Sequence, residues 1–263
     1  MKLTIIGGGN MGGAIARGLV ASGTFAAADI TLAGPHQNVL DKVAASAPGI
    51  VTMTDNGTAI KGADVIILAV KPWVLPGVLE EIAPRIAFRE QSIVSLAAGI
   101  SLADIDGMLH RYSSDRTLFR AMPNTAMSVG CSMTFLCHDG ASQQSVDDVV
   151  AIFDRLGSTA VIEERLMGAA TALCSCGIAY VMRYVRAATE GAVELGLYPD
   201  KARDYMLATM KGAVALLEAT GNNPEVEIDK VTTPGGITIK GLNAMEAHGF
   251  TTSVIEGLKA SAK

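Results

Sequence analysis

No run of lysines or arginines occurs in this 263-residue chain, and no aromatic residues alternate with basic ones. With a net charge of -5, that excludes the basic surface a nucleic-acid partner requires. Long apolar stretches are missing too. The longest unbroken one, Val65-Ile66-Ile67-Leu68-Ala69-Val70, is far shorter than the roughly 20 residues of a membrane helix. Cysteine and histidine are scarce and scattered. Cys131, Cys137, Cys174 and Cys176 form no Cys-x-x-Cys pair, and His36, His110, His138 and His248 stand at no ligand spacing near them. The pattern excludes a zinc site and a dithiol redox motif, and it implies reduced, mostly buried thiols and locally satisfied histidines. The first strand starts at Lys2, leaving no room for a signal peptide. The expectation is a soluble cytoplasmic protein with no metal, no nucleic acid and no membrane partner.

What the chain does have is apolar content, 49% of its residues, enough for one large domain or two ordinary ones. Residues 2–6 are β-branched and apolar and end in Gly7-Gly8-Gly9. Residues 10–23 read as a helix with apolar positions at Met11, Ile15, Leu19 and Val20, and residues 30–33 as a second strand. Gly7-x-Gly9-x-x-Gly12 thus falls at a strand-to-helix junction, where a dinucleotide fingerprint belongs. Gly7 permits the tight turn, Gly9 the approach of a pyrophosphate, and Gly12 close packing of helix on strand. The second strand runs into Gly34-Pro35-His36-Gln37-Asn38, with none of the carboxylate that usually grips the ribose 2′-hydroxyl of NAD. That leans toward NADPH, with NADH still possible. His36, Gln37 and Asn56 are the neutral side chains available there.

The alternation continues through strands at residues 64–70, 92–96, 117–122, 129–137 and 158–162, with a helix starting near Trp73. The carboxyl ends of these strands carry Lys71-Pro72, Ala97-Ala98-Gly99 and Pro123-Asn124-Thr125. Ligands gather at such ends in open α/β sheets. Beyond residue 162 only helical periodicity remains: residues 163–197 with a break near Cys176-Gly177, residues 199–219, a short helix, then 237–247 and 250–260. The reading is therefore an α/β Rossmann-type domain over residues 1–162 and an all-α domain over 163–263. Ile178, Val181, Met182 and Val185 form one apolar stripe, and Met206, Met210, Val214 and Leu217 another. A helical module this apolar has too few partners in one subunit and is expected to pack against a second copy.

The segment Thr232-Thr233-Pro234-Gly235-Gly236-Ile237-Thr238 precedes the helix over 237–247. Pro234 fixes one φ, and the two glycines allow backbone geometries other residues resist. A turn of this kind feeding a helix leaves several N–H groups unpaired and pointing one way, a cradle for a carboxylate or phosphate. Thr238 adds a hydroxyl beside it.

Taken together, Gly7 to Gly12, Ala69-Val70-Lys71-Pro72, Ala97-Ala98-Gly99, Arg120-Ala121-Met122-Pro123-Asn124-Thr125 and Val231 to Thr238 give the chain a close resemblance to the pyrroline-5-carboxylate reductases, nearly end to end. The resemblance implies a Rossmann domain followed by a helical dimerisation domain. It further implies NADPH or NADH as hydride donor, pyrroline-5-carboxylate as substrate and L-proline as product, in a homodimer or a larger assembly of dimers. By the same resemblance, Gly235, Gly236, Ile237 and Thr238 hold the substrate carboxylate, the Thr238 hydroxyl meets the ring nitrogen, and Asn124 lies nearby. The cofactor falls to Gly7, Gly9, Asn10, Met11, Gly12, His36, Asn56, Ala69, Val70, Lys71, Pro72 and Ala97. Two places depart from the family pattern. Ala126 stands where Pro is usual, and Cys174-Ser175-Cys176-Gly177-Ile178-Ala179-Tyr180 replaces a Ser-Gly-Ser-Gly-Pro-Ala-Tyr segment. Two other readings share part of the pattern. One is a 3-hydroxyacid-dehydrogenase-like enzyme, which would need a lysine that residues 171–185 do not contain; the other is a non-catalytic NADPH sensor, which would not need a second anion site.

Overall fold

A computed structural model describes residues 1–262, and the chain divides into two compact units, Met1–Ser175 and Cys176–Lys263. The first unit is built on one eight-stranded sheet of order β3-β2-β1-β4-β5-β6-β7-β8. Its strands are β1 (Leu3–Ile6), β2 (Ile30–Ala33), β3 (Val51–Met53), β4 (Val65–Leu68), β5 (Ser92–Ser95), β6 (Thr117–Met122), β7 (Ser132–His138) and β8 (Gly157–Val161). Every neighbouring pair is parallel except β6 and β7. β1, β4 and β5 are buried on both faces, and β4 accordingly reads as an unbroken apolar run rather than an alternating one.

Helices cover both faces of the sheet. On one side lie α1 (Asn10–Ala21), α2 (Gln37–Ser46) and α6 (Gln143–Phe153), whose Ile15, Leu19, Leu40 and Phe153 pack on Leu3, Ile5, Leu32 and Phe119. On the other lie α3 (Asn56–Ala59), α4 (Leu75–Ile82) and α5 (Leu102–Leu109), whose Ile60-flanked ends, Leu79, Ile82 and Ile105 pack on Ile6, Ile66 and Ile93. Each large aliphatic side chain so buried contributes about 1.5–3 kcal/mol against the chain entropy of ordering it. The strand order turns back at β1, with β2 on one side and β4 on the other. A crevice opens at such a point, outside the carboxyl ends of the strands.

The structure departs from the sequence expectation in particular places. β3 has no counterpart there: it is three half-buried residues at the sheet edge, too short to show a period. The strand expected over 64–70 stops at Leu68, because Ala69 and Val70 leave the ladder to line the crevice. The strand expected from 129 begins at Ser132. Thr125–Val129 is instead a 3-10 turn closed by Gly130 in the left-handed region at φ 70°. That link is too short for a crossover, so β7 runs antiparallel to β6. Of the thiols expected to be mostly buried, only Cys137 is; Cys131 is exposed, and Cys174 and Cys176 are half-buried. His138 leans on Phe119, ring centroids 5.6 Å apart, with its Nδ1 buried and unpaired.

β8 ends at Val161, close to the change of period at 162, yet the first unit continues to Ser175. A 3-10 turn Glu164–Leu166, α7 (Met167–Ala170) and a π-helical turn Thr171–Cys176 follow the last strand. Met167 belongs to the core under α4 and α5, and Ala170 and Ala172 are buried, so packing holds this stretch to the sheet. The break anticipated near Cys176-Gly177 is the end of the π turn.

The second unit contains α8 (Gly177–Glu194), α9 (Pro199–Thr220), α10 (Pro224–Lys230), α11 (Ile237–Ala247) and α12 (Phe250–Ser261). Gly221 ends α9 in the left-handed region at φ 63°. Among its described residues only Ala202 is buried. Val181, Met182, Val214 and Leu216 are exposed, and Tyr184 and Phe250 pack edge-on at 6.3 Å in an apolar pocket of about 730 Å³. By length and composition alone the 31-residue run Glu164–Glu194 meets the requirement of a membrane span. Its first turns are core of the sheet domain, and the remainder carries the apolar stripe of α8. Helices whose one buried side chain is an alanine methyl need a partner surface. Light scattering at micromolar concentration should therefore give at least twice the chain mass; a monomeric mass would contradict this.

Candidate active site

The crevice beside β1 is a cleft of about 570 Å³. Gly7 donates to Ala33 O at 2.7 Å and holds φ at +111°, and a Cβ there would meet Ala69 O at 2.5 Å. Gly12 lies behind the loop, where any Cβ would collide with Gly7 O. Gly9 differs from both: a Cβ on it would point into open space with no atom within 4 Å. The fold therefore requires Gly7 and Gly12 for its own packing, whereas the space at Gly9 is free for a ligand. Gly9 also caps α1 with no side-chain acceptor, and no acidic residue sits in the first turn. The amides of that turn and the positive end of the helix dipole are left uncompensated, as a pyrophosphate site requires.

Most of the residues singled out from sequence surround this cleft. Gly7, Gly9, Asn10 and Met11 form its floor at β1, His36 lines it at the exposed start of α2, and Ala69, Val70, Lys71 and Pro72 line it after β4. Of the other residues expected at the cofactor, Gly12 lies behind the loop, and Ala97 and Asn56 also fall outside the lining. Ala97 is buried, its amide donating to Ser95 Oγ at 3.2 Å, while its neighbours Leu96 and Ala98 face the cleft. Asn56 is buried at the start of α3 and donates to Glu81 Oε2 at 3.0 Å; its Oδ1 is buried without a partner.

At the end of β6 the Asn124 side chain is largely occupied. Its Oδ1 accepts from Ala126 N at 3.0 Å, and its Nδ2 donates to Cys174 O at 3.4 Å, leaving one amide hydrogen. Ser175 Oγ donates to Pro123 O at 3.1 Å. Together these bonds pin the π turn, with its altered Cys174-Ser175-Cys176 segment, to the strand end. Such turns recur at functional sites. Nearby, Arg120 pairs with Glu164 at 2.5 Å, and Glu164 also accepts from Leu102 N at 2.8 Å, so one carboxylate neutralises a buried guanidinium and serves the first turn of α5. Sequence reasoning did not single out Glu164, since nothing in its spacing ties it to a strand 44 residues earlier. Burial pushes the Cys137 thiol, opposite Arg120, up to about 11, so it stays neutral and unreactive.

The turn expected to cradle an anion belongs to the second unit. Gly235 has φ +72°, and Gly236 N donates to Thr233 O at 2.9 Å, closing the turn. A Cβ on Gly236 would lie 2.6 Å from Thr233 Oγ1, so this turn needs glycine at both places. Gly236 caps α11 with no side-chain acceptor, no acid follows in the first turn, and Ile237 and Thr238 are exposed.

A doubly wound sheet with a glycine-lined cleft at its switch point, followed by an all-helical unit carrying a second uncompensated helix start, defines the class of two-domain nicotinamide-dependent oxidoreductases. The comparisons are narrower. Residues 2–99 match the family described as NADP oxidoreductase coenzyme F420-dependent, and residues 164–263 that described as pyrroline-5-carboxylate reductase dimerisation. Pyrroline-5-carboxylate reductase 1 of Dictyostelium discoideum is 36% identical over 98% of this chain, which spans about half of that longer protein, 48%. The Escherichia coli pyrroline-5-carboxylate reductase is 33% identical, with 98% of this chain and 94% of that one covered. The crystal structure of the Plasmodium falciparum pyrroline carboxylate reductase, solved with NADP bound, superposes with TM-score 0.89 at 26% identity, covering 100% of this chain and 95% of that one. The chain belongs to the pyrroline-5-carboxylate reductase family.

The different surroundings of the glycines make a separable prediction. Gly9→Val should leave stability within about 1 kcal/mol of the parent, as for a substitution into open space, and weaken NADPH binding at least about tenfold. Titration calorimetry together with urea unfolding checks both; unchanged NADPH affinity in a folded Gly9→Val protein would show that nothing approaches the backbone there.

Proposed function

We propose that this chain reduces Δ1-pyrroline-5-carboxylate to L-proline, the last step of proline biosynthesis. NADPH is the donor and NADH the alternative. The observation that carries the assignment is the uncapped start of α11 behind Gly235-Gly236, in a chain whose first unit offers an equally uncapped helix start to a dinucleotide. One anion site suits the cofactor pyrophosphate and the other the substrate carboxylate. A sensor of the cofactor alone would need only the first.

The chain's own residues do three things in this scheme. The Gly236 amide expected to join the cradle is taken by Thr233 O, so the amides of Ile237 and Thr238 hold the substrate carboxylate, each charge-assisted bond contributing roughly 1.5–3 kcal/mol. The Thr238 hydroxyl bonds the ring nitrogen and sets the rotation of the ring. The turns at Lys71-Pro72 and around Ala97, with the Gly7–Gly12 loop, keep the cofactor in one pose. No histidine or carboxylate in these segments is placed as an acid, so the imine enters already protonated from solvent, and the protein's main contribution is orientation, on the order of 7 kcal/mol in favourable cases. When bound, reduced nicotinamide supplies the hydride that the electron-poor imine carbon accepts.

The 3-hydroxyacid-dehydrogenase reading lacks its lysine, since residues 171–185 contain Arg183 and no Lys. We take the working form to be a homodimer or an assembly of dimers, supported by the exposed faces of α8 and α9 and the dimerisation-family match. A cytoplasmic setting is supported by four cysteines that are all free thiols.

Oxidation of NADPH followed at 340 nm, with and without pyrroline-5-carboxylate, tests the assignment: turnover only with the imine is expected, and none with it would overturn the reading. Thr238→Val should lower kcat/KM by roughly 10²-fold, the usual cost of one positioned donor, with NADPH affinity retained. An unchanged kcat/KM would remove Thr238 from the mechanism.

A further inference from the structure

The chain has a single tryptophan, and it is not in a core. Trp73 is 77% exposed, between cleft-lining Pro72 and Val74. Its position is well defined by its surroundings. Val74 N donates to Lys71 O at 2.9 Å, making a tight turn directly after β4. Pro72 fixes one dihedral of that turn, and the fully buried Leu75 anchors its far end at the start of α4. The turn folds Lys71 back so that Nζ lies 6.0 Å from the centroid of the indole. This is within the range in which a ring face attracts a cation.

Lys71 is the one lysine or arginine lining the cleft. Among the described residues no carboxylate comes within ion-pair distance of it. The ammonium is therefore an unspent positive charge at the rim of a site built for phosphates. A free lysine side chain has to give up much of its rotamer freedom to meet an oxyanion. One already resting on a ring gives up less, and the ring face leaves its N–H donors available.

We propose that Trp73 is a positioning residue for the dinucleotide: its indole holds the Lys71 ammonium at the mouth of the cleft, where the ammonium meets a phosphate of the cofactor. This rests on the cofactor reading given above. Trp73 itself need not touch the cofactor; its effect passes through Lys71.

Titration calorimetry on the full-length enzyme tests the proposal, with NADPH and NADH as ligands. Trp73→Leu should weaken NADPH about two- to five-fold, the effect of losing one exposed cation–ring contact. Trp73→Phe, which keeps a ring face, should recover most of that loss. In the Lys71→Met background the further change Trp73→Leu should have no effect, since the cation it acts through is gone. In turnover the Trp73→Leu loss should fall on KM for NADPH and leave kcat alone. Equal weakening of NADPH and NADH would assign Lys71 to the pyrophosphate, and weakening of NADPH alone to the 2′-phosphate; either pattern supports the proposal. Parental affinity in Trp73→Leu, or the same loss in the Lys71→Met background, would overturn it. A parent protein that binds no NADPH would instead overturn the cofactor reading beneath it.

Discussion

Backbone amides left without a partner at the start of α1 and of α11 are the interaction on which everything else in this protein depends. In both places the capping residue is glycine, no side chain accepts the free N–H groups, and no acid offsets the dipole in the first turn. An ordinary helix gains about 1 kcal/mol from a Ser, Thr, Asp or Asn at the cap. This chain uses such caps elsewhere, at Asp55, Ser101, Ser142 and Asn223. The starts of α1 and α11 have glycine where those helices have an acceptor, and each follows a glycine with positive φ that turns the backbone into place. The amides left free there are the two anion sites proposed above, one in each unit.

Within the sheet domain the remaining architecture holds the amides of α1 in place. The buried parallel strands β1 and β4 bring Gly7 and Ala69 close enough that only a glycine fits between them. The π turn after α7 is tied by Asn124 and Ser175 to the end of β6, the strand whose Arg120 is neutralised by Glu164. Breaking that buried pair would leave an uncompensated guanidinium in the core, so it fixes the path of the chain leaving the sheet domain. The apolar faces of α8 and α9 meet the same logic at the next level. They cannot be satisfied within one chain, and the dimer that covers them also gives the second unit the core it lacks.

Much of this was legible in the residues. The Gly7–Gly12 fingerprint, β6 and the helix Ile237–Ala247 fall where the periodicity and turn chemistry place them, because strong local signals and tertiary packing agree there. β3 was not legible, since three half-buried edge residues carry no period. Nor was the antiparallel turn into β7, which depends on the length of the Thr125–Val129 turn and not on the composition of the strand. The packing of Met167, Ala170 and Ala172 against the sheet unit was hidden because a helix reads the same whether it packs on a sheet or on another helix. Within the site, residues next to each other in sequence were placed well. The inward orientation of Ala97, the bond of Asn56 to Glu81 and the pairing of Arg120 with Glu164 all arise from contacts between distant segments, which no local pattern encodes.

Competition by the product and its amide bears most directly on the claim that uncompensated amides at α11 recognise a carboxylate. L-Proline and L-prolinamide share a ring and differ in whether the group facing the cradle carries charge. With the active enzyme and saturating NADPH, proline should compete with pyrroline-5-carboxylate, and prolinamide should inhibit at least about tenfold more weakly, the loss of one charge-assisted contact. Equal inhibition by the two compounds would contradict the account.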